Sequence, residues 1–562
     1  MKFSSLGSAI VTALAATLTC HGAAAQPASS LPGQLDQRFQ QRPTAPSVGA
    51  PIEIPATPQG QAPAAAGATF TVTGVAFDGN TVLPGNALQA IAAPYIGRPI
   101  TLAEANELAS KITAAYRDAG YVLVRAVIPA QRVTDGILRI QIVEGTIDKV
   151  NIQGDAGGAR PYLQAYGSRI AAAKPLTAKV LERQLLLSSD LAGMNVRSVL
   201  TASQTTPGAA DLSLVVQPKK VDAFVQVDNH GSRFLGPYEI QAGVFFNDAL
   251  GTGGRLGLNG VVTPDSGPDL AYGGVTFDQP VGYDGLRWFS AFSYAATQPG
   301  QQLRAFNTKG NALNASTSLT YPFVRSRDFN FQGSLGLEYH DVRSKNAVIN
   351  PLFEDHTRNI SFGFYMNGLD NWGGYSSLSG SLTRGLPIAG ATSFTDPNKS
   401  RAGASGEFTR ANFEATHEHP FNETFSVYLA AAGQTSFGDP LLSSEQFALG
   451  GRRFNRAFDP SELTGDSALA GRIEPRFNLP GSFSFLSGFQ LYGFAEGGKV
   501  WQSLTLPGQP SSQALGSGGA GLRFAVSQRV SAELEFAKPF ERNAFGAGNQ
   551  DSRFLFSVGT SF

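Results

Sequence analysis

The sequence predicts a transmembrane β-barrel of about sixteen antiparallel strands preceded by two α+β domains. Three observations carry this. Apolar and polar residues alternate with period two from about Lys220 to the last residue, an α+β pattern occurs twice between Phe70 and Gln217, and the N-terminus reads as an export signal.

Composition narrows the class first. Of 562 residues 42% are hydrophobic and only 15% charged, against a charged share of roughly 25% in ordinary soluble domains. Forty-three basic residues cancel forty-three acidic ones, so no basic field exists to hold nucleic acid. Sixty-four glycines and thirty-nine phenylalanines, without long apolar runs, favour strands. The single cysteine, Cys20, leaves no partner for a disulfide or a thiolate metal site.

Residues 1–25 read as a signal peptide. Lys2 supplies the positive start, Ala9 to Leu18 a short apolar stretch, and Ala23-Ala24-Ala25 the small residues that precede cleavage before Gln26. Thr17 stands where a lipoprotein signal wants leucine, so Cys20 is not read as a lipidation site. No later window reaches the ~18 apolar residues of a transmembrane helix, which leaves a barrel as the only way to span a bilayer.

Residues 26–68 are rich in Pro, Ala and Gln and read as an extended linker. One interruption, Leu35 to Gln41, makes two helical turns with Leu35 and Phe39 on one face, and Pro43 ends it. Residues 69–146 form the first α+β unit. A strand near Phe70 to Phe77 leads to Thr101 and Glu104, a capping box, and Leu108, Ile112 and Ala115 repeat at helical spacing until Gly120. Strands Val122 to Ile128 and Ile137 to Val143 follow, with Asp135-Gly136 at the turn. Residues 147–219 repeat the pattern: strand Lys149 to Gln153, a helix capped by Thr177 and bearing Leu181, Leu185 and Ser188, then strands Val196 to Ala202 and Leu212 to Gln217.

Residues 220–562 are the barrel. Phe329, Phe331, Leu335, Leu337 and Tyr339 alternate with Asn330, Gln332, Ser334, Glu338 and His340, and Phe362 and Phe364 with Ser361 and Gly363. A soluble sandwich alternates too, so number and length decide. About sixteen segments at roughly 21 residues per strand and connection leave room for the ~9–11 residues a tilted membrane strand needs. Phe562 closes the chain, with Phe554, Phe556 and Val558 alternating before it, an ending common in outer-membrane barrels.

Several motifs with other meanings fall away on context. Gly493 to Lys499 has P-loop spacing, but Val500 stands where Ser or Thr must hold magnesium and the residues alternate as one strand. Gly516, Gly518 and Gly521 match a dinucleotide fingerprint with no helix after it. His417 and His419 share a strand face without a third ligand. No nucleophile elbow occurs. The expectation is therefore no enzyme, no metal, no nucleotide and no other cofactor.

A set of motifs resembles one family. Gly120-Tyr121, Pro129-Ala130-Gln131, Asp135-Gly136 and Val143-Glu144-Gly145 are similar to the first POTRA domain of the outer-membrane transporters of two-partner secretion, the ShlB/FhaC/HecB type, in the superfamily that contains BamA. Val227 to Arg233 resembles the family's first barrel strand. Phe454-Asn455-Arg456-Ala457-Phe458 resembles its Val-Arg-Gly-Tyr/Phe loop motif, with Asn455 for Val and Ala457 for Gly, and Gly465-Asp466 lies downstream. Phe494, Glu496 and Gly498 resemble its Phe-x-Asp-x-Gly strand motif, with Glu for Asp.

The resemblance implies two periplasmic POTRA domains that capture an unfolded secreted exoprotein, of haemolysin or adhesin type, and pass it through a barrel in the Gram-negative outer membrane. It implies that Arg456 meets Glu496 in the lumen, where a guanidinium can grip either carboxylate with two parallel bonds, and that Leu35 and Phe39 belong to a pore-plugging helix. Phe556, Val558 and Phe562 would be the signal read by the barrel-assembly machinery, and outer-membrane lipid the surrounding partner. The alternatives are an insertase like BamA and a passive porin or barrel enzyme.

Overall fold

The structure, a computed structural model, describes residues 27–39, 69–264, 269–479, 487–527, 529–540 and 551–562. The signal segment, the linker 43–68, and Gln40 and Gln41 of the expected helix lie outside the described residues. The helix itself, α1 (Pro32–Phe39), begins three residues before the expected start, with proline at the first helical position, where its missing N–H costs nothing.

The first α+β unit contains β1 (Thr69–Val72), β2 (Gly74–Asp78), α2 (Gly85–Ala92), β3 (Arg98–Thr101), α3 (Leu102–Asp118), β4 (Val124–Val127) and β5 (Ile137–Glu144). Its main sheet runs β2-β5-β4, with β2 parallel and β4 antiparallel to β5. The capping box forms: Thr101 Oγ1 accepts from the Glu104 N–H at 3.2 Å, and Glu104 Oε2 accepts from the Thr101 N–H at 2.7 Å. Hydrogen bonds from the Thr101 backbone and from Arg98 hold the Glu104 carboxyl down to about 2. Leu108, Ile112 and Tyr116 of α3 enter the core beside Leu138 and Ile140.

The second unit repeats this topology. It contains β6 (Ile147–Gln153), α4 (Arg160–Ala172), α5 (Ala178–Ser189), β7 (Met194–Ala202) and β8 (Ala210–Pro218), with sheet order β6-β8-β7. Each unit carries a helix that sequence reading passed over, α2 and α4. Neither has a side-chain N-cap to announce it, although Leu163, Tyr166 and Ile170 hold helical spacing on the buried face of α4.

The family-like motifs sit at structural joints. Gly120, at φ +90°, turns the chain after α3, and its carbonyl accepts the Ala178 N–H at 2.7 Å, which joins the two units. Gln131 pairs its side-chain amide with both backbone groups of Arg139, at 2.7 and 2.9 Å, and so closes the loop before β5. Glu144 accepts from the backbone of Thr81 at 2.7 Å and of Val82 at 3.2 Å, and from the Tyr116 hydroxyl at 3.2 Å. Burial pushes that carboxyl up, but the Thr81 hydroxyl, which also donates to it, together with these donors outweighs burial and leaves the group below its usual range.

Sixteen antiparallel strands then close a barrel. They are β9 (Val221–Asp228), β10 (Glu239–Asn247), β11 (Arg255–Val262), β12 (Leu270–Val281), β13 (Leu286–Thr297), β14 (Lys309–Arg325), β15 (Phe329–Lys345), β16 (Phe353–Leu369), β17 (Tyr375–Gly385), β18 (Thr409–Pro420) and β19 (Phe425–Thr435). Two short lumenal strands, β20 (Phe447–Leu449) and β21 (Leu463–Gly465), interrupt the series before β22 (Ser467–Leu479), β23 (Ser487–Trp501), β24 (Ser512–Ala525), β25 (Val530–Pro539) and β26 (Arg553–Ser561).

Period-two patterning produces the two faces. Phe362, Leu382, Leu337 and Ile473 point outward and stay exposed, while Asn330, Asn359, Asn367 and Glu474 are buried within. Turns such as 282–285 and 326–328 are short at one end, where the second α+β unit docks. Arg325 Nη2 meets Asp190 at 2.7 Å, and the Tyr162 hydroxyl donates to the Pro280 carbonyl at 3.0 Å. Long connections, 386–408 and 436–466, emerge at the other end.

Candidate functional site: the occupied lumen

The connection 436–466 folds back into the barrel as the β20–β21 hairpin, paired from Phe447↔Gly465 to Leu449↔Leu463. Its tip needs left-handed backbone at Gly450, Gly451, Asn455 and Ser461. Asn455, at φ +65°, is among the side-chain-bearing residues that adopt this region most readily. The departure from the family motif at this position therefore lets the chain turn just before Arg456.

Arg456 is 3% exposed and surrounded by three carboxylates from three strands. Nη2 meets Glu474 of β22 at 2.8 Å, Nη1 donates to Glu535 of β25, and Nε lies 3.4 Å from Glu496 of β23. Glu496 spends its better acceptor on the Arg456 backbone N–H, at 2.5 Å, and on the Ser517 hydroxyl, at 2.9 Å. The expected two-bond fork between Arg456 and Glu496 is thus corrected. The residues do meet, but both guanidinium ends go to Glu474 and Glu535, because Glu496 sits under the loop backbone.

The remaining motif residues shape the seat. Phe494 lies 4.0 Å beneath the guanidinium, a cation–π contact. Gly498, on the same lumenal face, leaves room for the hairpin: a Cβ there would approach Leu449 Cδ2 to 2.8 Å. Phe454, Ala457 and Phe458 pack with Phe447, Leu449, Leu463 and Tyr492 in one apolar cluster. A wider network balances the charge. Arg523 bridges Glu474 and Glu533, each at 2.7 Å, Arg476 reaches Glu474 at 2.9 Å, and Arg452 reaches Glu533 at 3.0 Å. Tyr492 donates to Glu533 and Glu535 at 2.8 Å.

Sequence reading missed Glu474 and Glu535. The signal was available: Ile473, Leu534 and Phe536 are all exposed outward, so the acid next to each must face the lumen.

Helix α1 occupies the lumen beside the hairpin. Leu35 and Phe39 bury against Leu270, Tyr272, Val342 and Phe353, with the Phe39 and Tyr272 rings 5.4 Å apart. Arg38 contacts both oxygens of Glu239 at 3.1 Å, and Asp36 accepts from the Ser293 hydroxyl at 2.8 Å. Gln34 donates to the Ser443 carbonyl at 2.5 Å and Gln37 to the Ser444 carbonyl at 3.0 Å.

The last strand closes the wall. β26 pairs with β9 from Ser557↔Asp228 to Ser561↔Phe224, and the Asn229 side chain extends this seam by accepting from Phe556 N at 2.7 Å and donating to the Phe554 carbonyl at 2.8 Å. Phe554, Val558 and Phe562 are exposed on the outer face, and Phe556 is half-buried beside Tyr238, with rings 6.3 Å apart. His417 and His419 stack at 6.1 Å; His417 also meets the Ser376 hydroxyl at 2.9 Å, and His419 packs edge-on against Phe421 with ring centroids 4.7 Å apart. Among the described residues no group of three potential ligands gathers around a metal position.

A closed sixteen-strand barrel with two such α+β domains before it is the architecture of outer-membrane barrel proteins with periplasmic POTRA domains. Residues 70–145 match the POTRA domain of ShlB type, and residues 208–524 match the haemolysin secretion/activation protein ShlB/FhaC/HecB. The chain belongs to this ShlB/FhaC/HecB family, the outer-membrane transporters of two-partner secretion. It is 23% identical over 457 residues to the heme/hemopexin transporter protein HuxB of Haemophilus influenzae strain 86-028NP, covering 80% of each chain. The structure of CdiB from Escherichia coli superposes with a TM-score of 0.71 at 20% identity, covering 92% of this chain and 94% of that one. BamA from Haemophilus ducreyi lacking POTRA domains 1–3 shares the fold more distantly, with a TM-score of 0.52 at 16% identity and coverage of 88% and 100%.

Proposed function

We propose that this transporter secretes one large, unfolded exoprotein of haemolysin or adhesin type, captured in the periplasm and threaded through the barrel once α1 and the Arg456 hairpin leave the lumen. The carrying observation is that α1 and the hairpin sit in the lumen without joining the barrel sheet, and meet its wall through side chains such as Arg38 on Glu239 and Arg456 on Glu474 and Glu535. Strands β2 and β4 end the first POTRA sheet and β6 and β7 the second. Such edges pair with extended backbone while reading little sequence. Folding of the exoprotein outside makes transit one-way without a nucleotide, a cofactor or an enzymatic step, and no nucleic acid takes part.

In the same reading residues 1–25 direct export and residues 26–68 let α1 withdraw without detaching. Residues 69–146 and 147–219 are the two capture domains, and residues 220–562 the pore. The outward apolar face contacts outer-membrane lipid, and the C-terminal segment bearing Phe556, Val558 and Phe562 is the one the barrel-assembly machinery reads. A photo-crosslinking residue at Asn367, which faces the lumen, tests the route in cells carrying a stalled exoprotein, with Phe362 on the outer face as control. Exoprotein adducts at Asn367 and none at Phe362 are expected; equal or absent adducts would overturn transit through the lumen.

A further inference from the structure

The outer connection 386–408 carries a second set of contacts that the pore reading does not use. Arg401 reaches into the root of the lumenal hairpin, donating to Asp466 Oδ1 and to the Leu441 carbonyl at 2.5 Å each, and to Gln502 at 2.7 Å. Asp466 is fully buried. It also accepts from the N–H groups of Leu441 at 3.0 Å and Ser503 at 2.8 Å, and from the Gln446 amide at 3.2 Å. Next to it the Ser443 N–H donates to Ser400 Oγ at 3.0 Å. The same residue's carbonyl accepts from Gln34 of α1 at 2.5 Å. One residue therefore bonds to the outer connection through its nitrogen and to the plug helix through its oxygen.

We infer that the connection 386–408 is an outer gate latched through Arg401 and Ser400 to segment 441–446, the segment that also holds α1, so that departure of the helix loosens the outer gate. The segment is not free to drift. Glu445 ties it to the wall through Thr357 at 2.7 Å, Asn359 at 3.1 Å and Arg410 at 3.0 Å. What the helix supplies is the orientation of the peptides on either side: Gln37 also donates to the Gln446 carbonyl at 3.1 Å, and Gly33 packs so closely that a Cβ would come within 2.9 Å of Ser444 Cβ. Coupling of this kind is reciprocal, so a weakened latch must also loosen the helix.

This inference rests on α1 acting as a plug, and one experiment separates the two. Ala404 is fully buried in the outer connection, so in a Cys20→Ser chain a cysteine introduced by Ala404→Cys reacts with a maleimide only when the gate opens. Removing residues 27–39 from the full, membrane-inserted chain is expected to speed labelling about tenfold, the scale of one or two lost hydrogen bonds, and to raise ion conductance. Gln34→Ala with Gln37→Ala should speed labelling too while leaving Leu35 and Phe39 in place. In an Arg401→Gln background, helix removal should add less than twofold. Raised conductance with unchanged labelling would overturn the coupling and leave the plug intact. Unchanged conductance and unchanged labelling would overturn both.

Discussion

Replacing Arg456 with alanine is the sharpest perturbation of the lumen. Its three carboxylates do not lose equally. Glu474 keeps Arg523 at 2.7 Å and Arg476 at 2.9 Å, whereas among the described residues Glu535 keeps the Tyr492 hydroxyl alone, and Glu496 keeps Ser517 and the loop backbone. Two buried acids are thus left without their nearest cation. Breaking a buried pair costs ~3–5 kcal/mol, and access of lumenal water reduces this to about 2–3 kcal/mol. That shifts the docked-to-undocked ratio of the hairpin by about 30- to 150-fold. In planar bilayers the Arg456→Ala pore should dwell in open states far more than the native one, and cells carrying it should secrete less exoprotein with the barrel still inserted. Arg456→Lys, with a single ammonium, should fall between. Arg523→Ala should do less, because Glu533 retains Arg452 and Tyr492. Native gating and native secretion in Arg456→Ala would refute the assignment of the hairpin to closure.

Three further outcomes follow from the geometry. Glu496→Ala should lower secretion as Arg456→Ala does, while Glu496→Asp, which keeps the charge one methylene shorter, should stay close to native secretion. Gly498→Ala should unseat the hairpin against Leu449 and raise conductance, and Leu449→Ala in the same chain should reverse this. In the first POTRA domain the Glu104 carboxyl is held down to about 2, against ~4.3 in an unfolded chain, so its contribution to α3 is complete above ~4.3 and disappears as pH falls through about 2. Hydrogen-exchange protection in the first turn of α3 should decline over that window, and Glu104→Gln should start lower and stay flat.

The barrel was legible because a membrane wall enforces two-residue alternation along most of each strand, as from Phe329 to Leu337 and from Ile473 to Phe477, broken locally where β14 bulges at Pro322 to Val324. The capping box at Thr101 was legible because its chemistry lies within four residues. Helices α2 and α4 escaped because they start at Pro84 and Ala159 without a capping side chain. Arg456 and Glu496 were paired only through resemblance to family motifs, since nothing local joins residues forty apart. Glu474 and Glu535, which take the guanidinium ends, lie in no recognised motif; their lumenal position follows from the alternation of their neighbours. The Arg401–Asp466 latch joins two separate connections: Asp466 stands out downstream of the loop motif, but nothing in the sequence marks Arg401 as its partner.

The most direct test of the whole account is secretion of candidate exoproteins, beginning with one encoded beside this chain, from cells with and without it. Loss of one large protein from the medium, with its retention or degradation in the periplasm and other outer-membrane barrels at normal levels, is the predicted result. Unchanged secretion accompanied by a broad fall in barrel assembly would contradict it and point to an insertase instead.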